Sequence, residues 1–214
     1  MIRMDQTEFE YLSLQCGDIS DHLTTKLCQD NVEWKRKYHE ALYERYYSIL
    51  PFLPDRAFNI LDVGSGLGGI DILLHSHYEG LSKIHLLDGD NDPPSHVKAD
   101  TTFCNMEVAD AFMKRNGVPN MTFVPSLYAL RPRYLRPIKP PKMDLIVSFA
   151  SYCFHFSPEA YLDYLLEASK PDTVLILDVR TGRPDWHQIL IDHFGEPIPI
   201  VSRTKWERMV YRGA

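Results

Sequence analysis

The residues best suited to chemistry sit in the run Asn59–Ile72, Asn-Ile-Leu-Asp-Val-Gly-Ser-Gly-Leu-Gly-Gly-Ile-Asp-Ile. Asp62 stands two residues before Gly64, where a carboxylate can hydrogen-bond a ligand ammonium group through a glycine turn. Gly64, Gly66, Gly68 and Gly69, with Ser65 and Leu67 among them, give four glycines in six residues. Such a run suits a sharp turn whose backbone approaches a ligand where any Cβ would collide. A second acid, Asp88, closes the apolar run Ile84, Leu86, Leu87 and can accept hydrogen bonds from a vicinal diol. An aspartate there also suits a turn cap, and Asp90 is the alternative acid. Further along, Tyr152, His155 and Asp178 offer a phenol, an imidazole and a carboxylate. Only the imidazole titrates near neutral pH. His155 is therefore the candidate base, Tyr152 a positioning group, and Asp178 a residue that orients the histidine or caps a strand end.

Hydrophobic periodicity gives the elements that must hold these groups. Ile60, Leu61 and Val63 read as a strand buried on both faces of a parallel sheet, and Ile70, Ile72, Leu73 and Leu74 begin a helix. Strand, glycine loop and helix together make a nucleotide pocket. Further strands are predicted at residues 82–88, 121–124, 144–151, 173–180, 197–203 and 207–212. Helices are predicted at residues 32–50, ended by Pro51 and Pro54, at 105–116, ended by Gly117, and at 184–194. Another starts with Ser157 as N-cap and Pro158 at the first helical position. The pattern predicts an α/β fold: a single doubly wound, mostly parallel seven-stranded sheet with helices on both faces and an antiparallel C-terminal strand, over residues 55–214. Residues 1–54 form an N-terminal helical arm that packs on the sheet or lids the pocket. Ligands of such sheets sit beyond the strand C-termini where the strand order reverses. That puts Tyr152 and His155, after the fourth strand, on the wall facing the ligand.

Asp62 and the glycine loop resemble motif I of the S-adenosylmethionine-dependent methyltransferases with the Rossmann-like fold. The resemblance spans residues 55–214 and implies S-adenosyl-L-methionine as cofactor. It implies that Asp62, Gly64, Ser65, Gly66 and Gly68 surround the aminoacyl end, that Asp88 beside Gly89 accepts the ribose hydroxyls, and that Phe149 completes the site. It places the adenine contact at Ser126 and Leu127, where the acid or amide often found in the family is missing. His155 falls where the family often presents acceptor-side groups, and N-terminal helices lid the pocket in many members. Residues 148–162 and 176–182 are similar to a bacterial group of sugar O-methyltransferases. That implies a hydroxyl of a sugar or sugar-containing metabolite as acceptor. The sulfonium already activates the methyl, so the protein must align the displacement and remove the hydroxyl proton.

The remaining sequence sets bounds. A net charge of −6 argues against a general nucleic-acid partner. Residues 131–142 nevertheless collect five cations, Arg131, Arg133, Arg136, Lys139 and Lys142, among prolines that exclude a regular helix. They form a solvated connection or a basic rim for an anionic small-molecule acceptor; a nucleic-acid or nucleotide methyltransferase would use the same loop. Asn91-Asp92-Pro93-Pro94-Ser95 reads as a turn. An NAD-dependent enzyme is the second alternative, opposed by Asp62, and a non-catalytic S-adenosylmethionine-binding subunit the third. Cys16, Cys28, Cys104 and Cys153 have no paired spacing and read as reduced thiols of a cytoplasmic protein. No run approaches membrane-spanning length, so no membrane partner is expected. His75, His77 and His85 read as structural, and without convincing ligand spacing no metal is expected.

Overall fold

The computed structural model describes residues 2–3, 31–88, 106–132, 134 and 138–213, excluding the side chains of residues 31–35, 37, 126 and 127. Gly89, Asp90, the Asn91–Ser95 turn, Arg133, Arg136, Cys16, Cys28 and Cys104 lie outside the described residues, as do the side chains of Ser126 and Leu127.

Among the described residues, eight strands and six α-helices follow in chain order. They are α1 (Asn31–Ile49), β1 (Asn59–Val63), α2 (Gly69–His77), β2 (Lys83–Asp88), α3 (Met106–Arg115), β3 (Met121–Pro125) and the single-turn α4 (Ser126–Ala129). Then come β4 (Leu145–Ser148), β5 (Ser151–Phe156), α5 (Glu159–Ala168), β6 (Val174–Arg180), α6 (Pro184–Phe194), β7 (Ile198–Ser202) and β8 (Trp206–Arg212). Seven strands form one sheet in the order β3-β2-β1-β4-β6-β8-β7. Its pairs are parallel from β3 to β6, and β8 runs antiparallel to both β6 and β7. The predicted doubly wound α/β sheet is thus observed, with its order reversing between β1 and β4.

Alternation along the strands divides the core in two. Ile60, Leu145, Val147, Val174 and Ile176 point to one face, which α1, α2 and α3 cover with Leu42, Ile49, Ile70, Leu74, Phe112 and Met113. Leu61, Val63, Ile146, Leu175, Leu177 and Val179 point to the other, covered by α5 and α6 with Tyr164, Leu165, Leu190 and Phe194. Each fully buried aliphatic side chain contributes about 1.5–3 kcal/mol, which is why these strands read as continuous apolar runs. Asp62 shares the face of Ile60, so it looks toward α1 and α2.

Two local expectations change. The strand predicted over residues 144–151 stops at Ser148, and the chain restarts as β5 alongside β6. Ser157 does not cap α5: Pro158 occupies the N-cap without a side-chain bond, and the Ser157 hydroxyl donates to Glu159 Oε2 at 3.3 Å. As the prolines lead one to expect, the crossover helix among the described residues is shortened to the single-turn α4, because prolines remove the N–H groups a longer one needs. Among the described residues, no helix is long and apolar enough to cross a membrane.

Candidate functional site

Backbone hydrogen bonds shape the glycine loop. The Gly64 N–H donates to the Leu87 carbonyl of β2 at 2.7 Å, and the Gly68 N–H to the Ser65 carbonyl at 2.9 Å. Gly64 has φ 76°, and a Cβ there would stand 1.7 Å from Ser151 Oγ, so conformation and space both require glycine. A Cβ on Gly69 would come within 2.3 Å of Tyr38 Oη, so this glycine lets α1 lie directly on the loop. Asp88 Oδ2 accepts the Gly66 N–H at 2.7 Å, tying the end of β2 to the loop. That is the turn-cap geometry, made by the same acid the sequence offers for a diol.

Tyr38, Leu42 and Arg45 of α1, Asp62, residues 64–67, Gly69, Ile70 and Phe149 enclose a cavity of about 120 Å³. It lies at the C-terminal ends of β1 and β4, beside the reversal in strand order where ligands of such sheets bind. Two larger clefts, of about 420 and 450 Å³, lie elsewhere. One opens at the start of β1 around Asp55–Phe58 and His77–Glu79, the other along α2 around Ile72–Leu73 and His75–Ser76. Neither touches the glycine loop.

Two carboxyls meet under the cavity. Asp62 is 3% exposed and Asp71, in the first turn of α2, is fully buried. No N–H or O–H of another residue satisfies either Asp71 side-chain oxygen among the described residues; its neighbour is the carboxyl of Asp62. Two buried carboxyls can satisfy each other only by holding a proton between them. Burial accordingly pushes both well above the usual carboxylate range, with the charge of Asp62 adding to the rise at Asp71.

Two arginines flank Phe149. Arg208 of β8 lies 4.6 Å from the ring centre and Arg45 of α1 lies 5.1 Å from it. Arg208 is fully engaged: Nε and Nη2 donate to Asp178 at 2.8 and 3.0 Å, and Nη1 to Ser48 Oγ at 2.8 Å. Asp178 also accepts the Ala150 N–H at 3.2 Å. Asp178 therefore anchors an arginine and the chain after β4, and the expectation that it orients His155 is replaced: a planar guanidinium takes a buried carboxylate by both oxygens. Arg45 makes no side-chain hydrogen bond and no ion pair with any described residue. Burial lowers its pKa, while the charge of Asp178 pulls it back up.

The acceptor-side segment is pinned and strained. Ser148 Oγ donates to the Val63 carbonyl at 2.7 Å and accepts the Tyr152 N–H at 3.0 Å. Ala150 and Cys153 hold left-handed φ values of 54° and 61° without being glycine, a conformation that persists only where neighbours over-determine it. Tyr152 is buried, and its hydroxyl donates to the Pro158 carbonyl at 2.7 Å. That side chain does not line the cavity, which departs from the expectation of a wall residue. His155 lies at the surface, edge-on to Phe154 at 5.0 Å, and, like Tyr152, does not line the cavity. Burial lowers its pKa, and Arg180 lowers it further.

Other candidates find structural partners. His75 Nδ1 lies 3.0 Å from the Ser82 carbonyl and His77 Nδ1 2.9 Å from Tyr46 Oη, while burial takes His85 down to about 4. Lys142 does not rim the site: its ammonium donates to the carbonyls of Glu167 and Ser169 at 2.9 and 2.7 Å, closing the end of α5 at the start of β4. Sequence reasoning missed Arg45, Asp71 and Arg208. Arg45 left a signal, because Tyr38, Leu42, Arg45 and Ile49 share one helical face and a cation on a buried stripe is unusual. Asp71 left almost none, since acids favour the first turn of any helix.

No family model and no curated protein matches the chain. Solved structures do. A methyltransferase from Pyrococcus furiosus superposes with a TM-score of 0.53 at 15% identity, over 80% of this chain and 82% of that one. A SAM-dependent methyltransferase from Aquifex aeolicus gives 0.50 at 15% identity, over 73% and 82%. An O-methyltransferase from Bacillus cereus, solved in complex with SAH, gives 0.52 at 17% identity, over 99% and 93%. At these identities the likeness establishes the fold: this chain has the fold of S-adenosylmethionine-dependent methyltransferases.

Proposed function

We propose that this protein is an S-adenosylmethionine-dependent methyltransferase that O-methylates a hydroxyl of a small acceptor, such as a sugar-containing metabolite. The observation that carries the cofactor reading is Asp62 and the glycine loop lining one cavity, with the acid that ends β2, Asp88, bonded to the same loop. The residues fit the cofactor's chemistry: Asp62 suits the ammonium, backbone of residues 64–66 the aminoacyl stem, and Asp88 the ribose hydroxyls. Bound there, the cofactor would supply an activated methyl group. The protein's own tasks are to exclude water, to align the acceptor and to take its proton.

His155 is the proposed base. It belongs to the segment after β4 that begins at Phe149, a residue of the cavity wall. A lowered pKa keeps the ring neutral at pH 7, the form a base needs. Calorimetry with S-adenosylmethionine, S-adenosylhomocysteine and NAD tests the cofactor assignment. Binding of the two adenosyl amino acids with NAD far weaker is expected, and NAD binding as tightly would overturn it. Methyl transfer from labelled cofactor to a panel of hydroxylated acceptors tests the reaction.

A further inference from the structure

The 120 Å³ cavity is small beside the roughly 300–1,000 Å³ of pockets that enclose a whole small molecule. It accommodates one end of a ligand. Its walls carry groups of opposite charge, Asp62 from β1 and Arg45 from α1. Although they border the same space, no ion pair joins them. Arg45 also makes no side-chain hydrogen bond with any described residue, whereas Arg208, on the same Phe149 ring, donates three. A guanidinium carries five donors, and those of Arg45, half-buried at the cavity wall, are available to the oxygens of a ligand there. An acid and a base held apart across a small cavity match a group that carries an ammonium and a carboxylate on one carbon.

We infer that Arg45 is the carboxylate-binding residue of this site, so that α1 selects ligands with an intact α-amino-acid end: the carboxylate on Arg45 and the ammonium on Asp62. This inference rests on the proposed cofactor reading and goes beyond it by giving α1 a specific recognition task. It also accounts for the fit of α1 on the loop. Tyr38 Oη lies against Gly69, where any side chain would push the helix, and with it Arg45, away from the cavity.

The test uses the full chain and three nucleosides: S-adenosylmethionine, its decarboxylated form, and 5′-methylthioadenosine, which lacks the amino-acid end. The wild-type protein is expected to bind S-adenosylmethionine on the order of 10–100-fold more tightly than the decarboxylated form, the value of charge-assisted hydrogen bonds to a carboxylate. Arg45→Gln is expected to erase that difference while leaving affinity for 5′-methylthioadenosine within about twofold of wild type. Arg45→Lys, which keeps the charge but not the fork, is expected to fall between. Equal wild-type affinity for the first two nucleosides would overturn the inference and leave the cofactor reading standing. So would a folded Arg45→Gln protein that still discriminates. Failure of the wild-type protein to bind any of the three would overturn the cofactor reading and this inference with it.

Discussion

Arg208 holds Asp178 by both carboxylate oxygens, at 2.8 and 3.0 Å, and both residues are almost fully buried, at 4% and 2% exposure. The pair crosses from β8 to β6 through the register that sets the two residues opposite each other. Its third arm, to Ser48, fastens the sheet to α1. Removing one partner leaves the other as an uncompensated buried charge. Arg208→Ala is expected to destabilise the fold by about 3–5 kcal/mol. Urea unfolding measures this, and near-wild-type stability would show that Asp178 is satisfied without the arginine.

The Asp62–Asp71 pair predicts a pH dependence of stability. Burial raises both carboxyls, and Arg45 and Asp88 are the charged groups that also act on Asp62. The folded protein therefore keeps a proton that the unfolded chain releases above the ordinary carboxylate range. The associated stability is full below that range and is lost as pH rises through the raised value. Asp71→Asn replaces the proton with permanent amide donors. The variant is expected to be more stable than wild type at about pH 8, by on the order of 1–2 kcal/mol, with a smaller difference at about pH 5. Thermal melts at the two pH values decide it; a gain independent of pH would reject the shared proton.

Tyr152 is expected to behave as a core residue. Its hydroxyl is spent on the Pro158 carbonyl at 2.7 Å, at the start of α5. Tyr152→Phe is expected to cost about 1–2 kcal/mol and to leave cofactor affinity unchanged. Paired calorimetry and denaturation separate the two, and a loss of turnover with unaltered stability would restore a direct role at the site.

His155 is expected to act on rate alone. Its ring is at the surface, so truncation should change stability by about 0.5 kcal/mol or less. His155→Ala is expected to lower methyl transfer by on the order of 10²–10⁴ while cofactor affinity holds. Because burial and Arg180 both lower its pKa, the acidic limb of the wild-type rate profile should fall below the ordinary histidine value near 6.5. Near-normal turnover by the variant, or an acidic limb well above that value, would remove it as the base.

The sequence by itself determined the sheet, the glycine loop and the acids that meet it. Strands buried on both faces read as apolar runs because each fully buried side chain contributes kilocalories, and that pressure leaves its mark locally, as in Ile60–Val63 and Val174–Val179. The glycines at 64 and 69 were legible for the same reason: a backbone that must tolerate close approach can use no other residue. What Asp178, Tyr152 and Arg45 do was decided only by tertiary structure. Asp178 pairs with a residue thirty positions away, across an antiparallel strand pair, and no local pattern records which cation that is. Tyr152 turns into the core because the chain kinks at Ala150 and Cys153 through left-handed conformations that their residue types do not announce. Arg45 borders the same cavity as Asp62 because helix α1 lies over the loop that follows β1. Long-range pairings of charged groups depend on how elements dock, and docking is set by the summed packing of both faces of the sheet, a quantity spread over the whole chain.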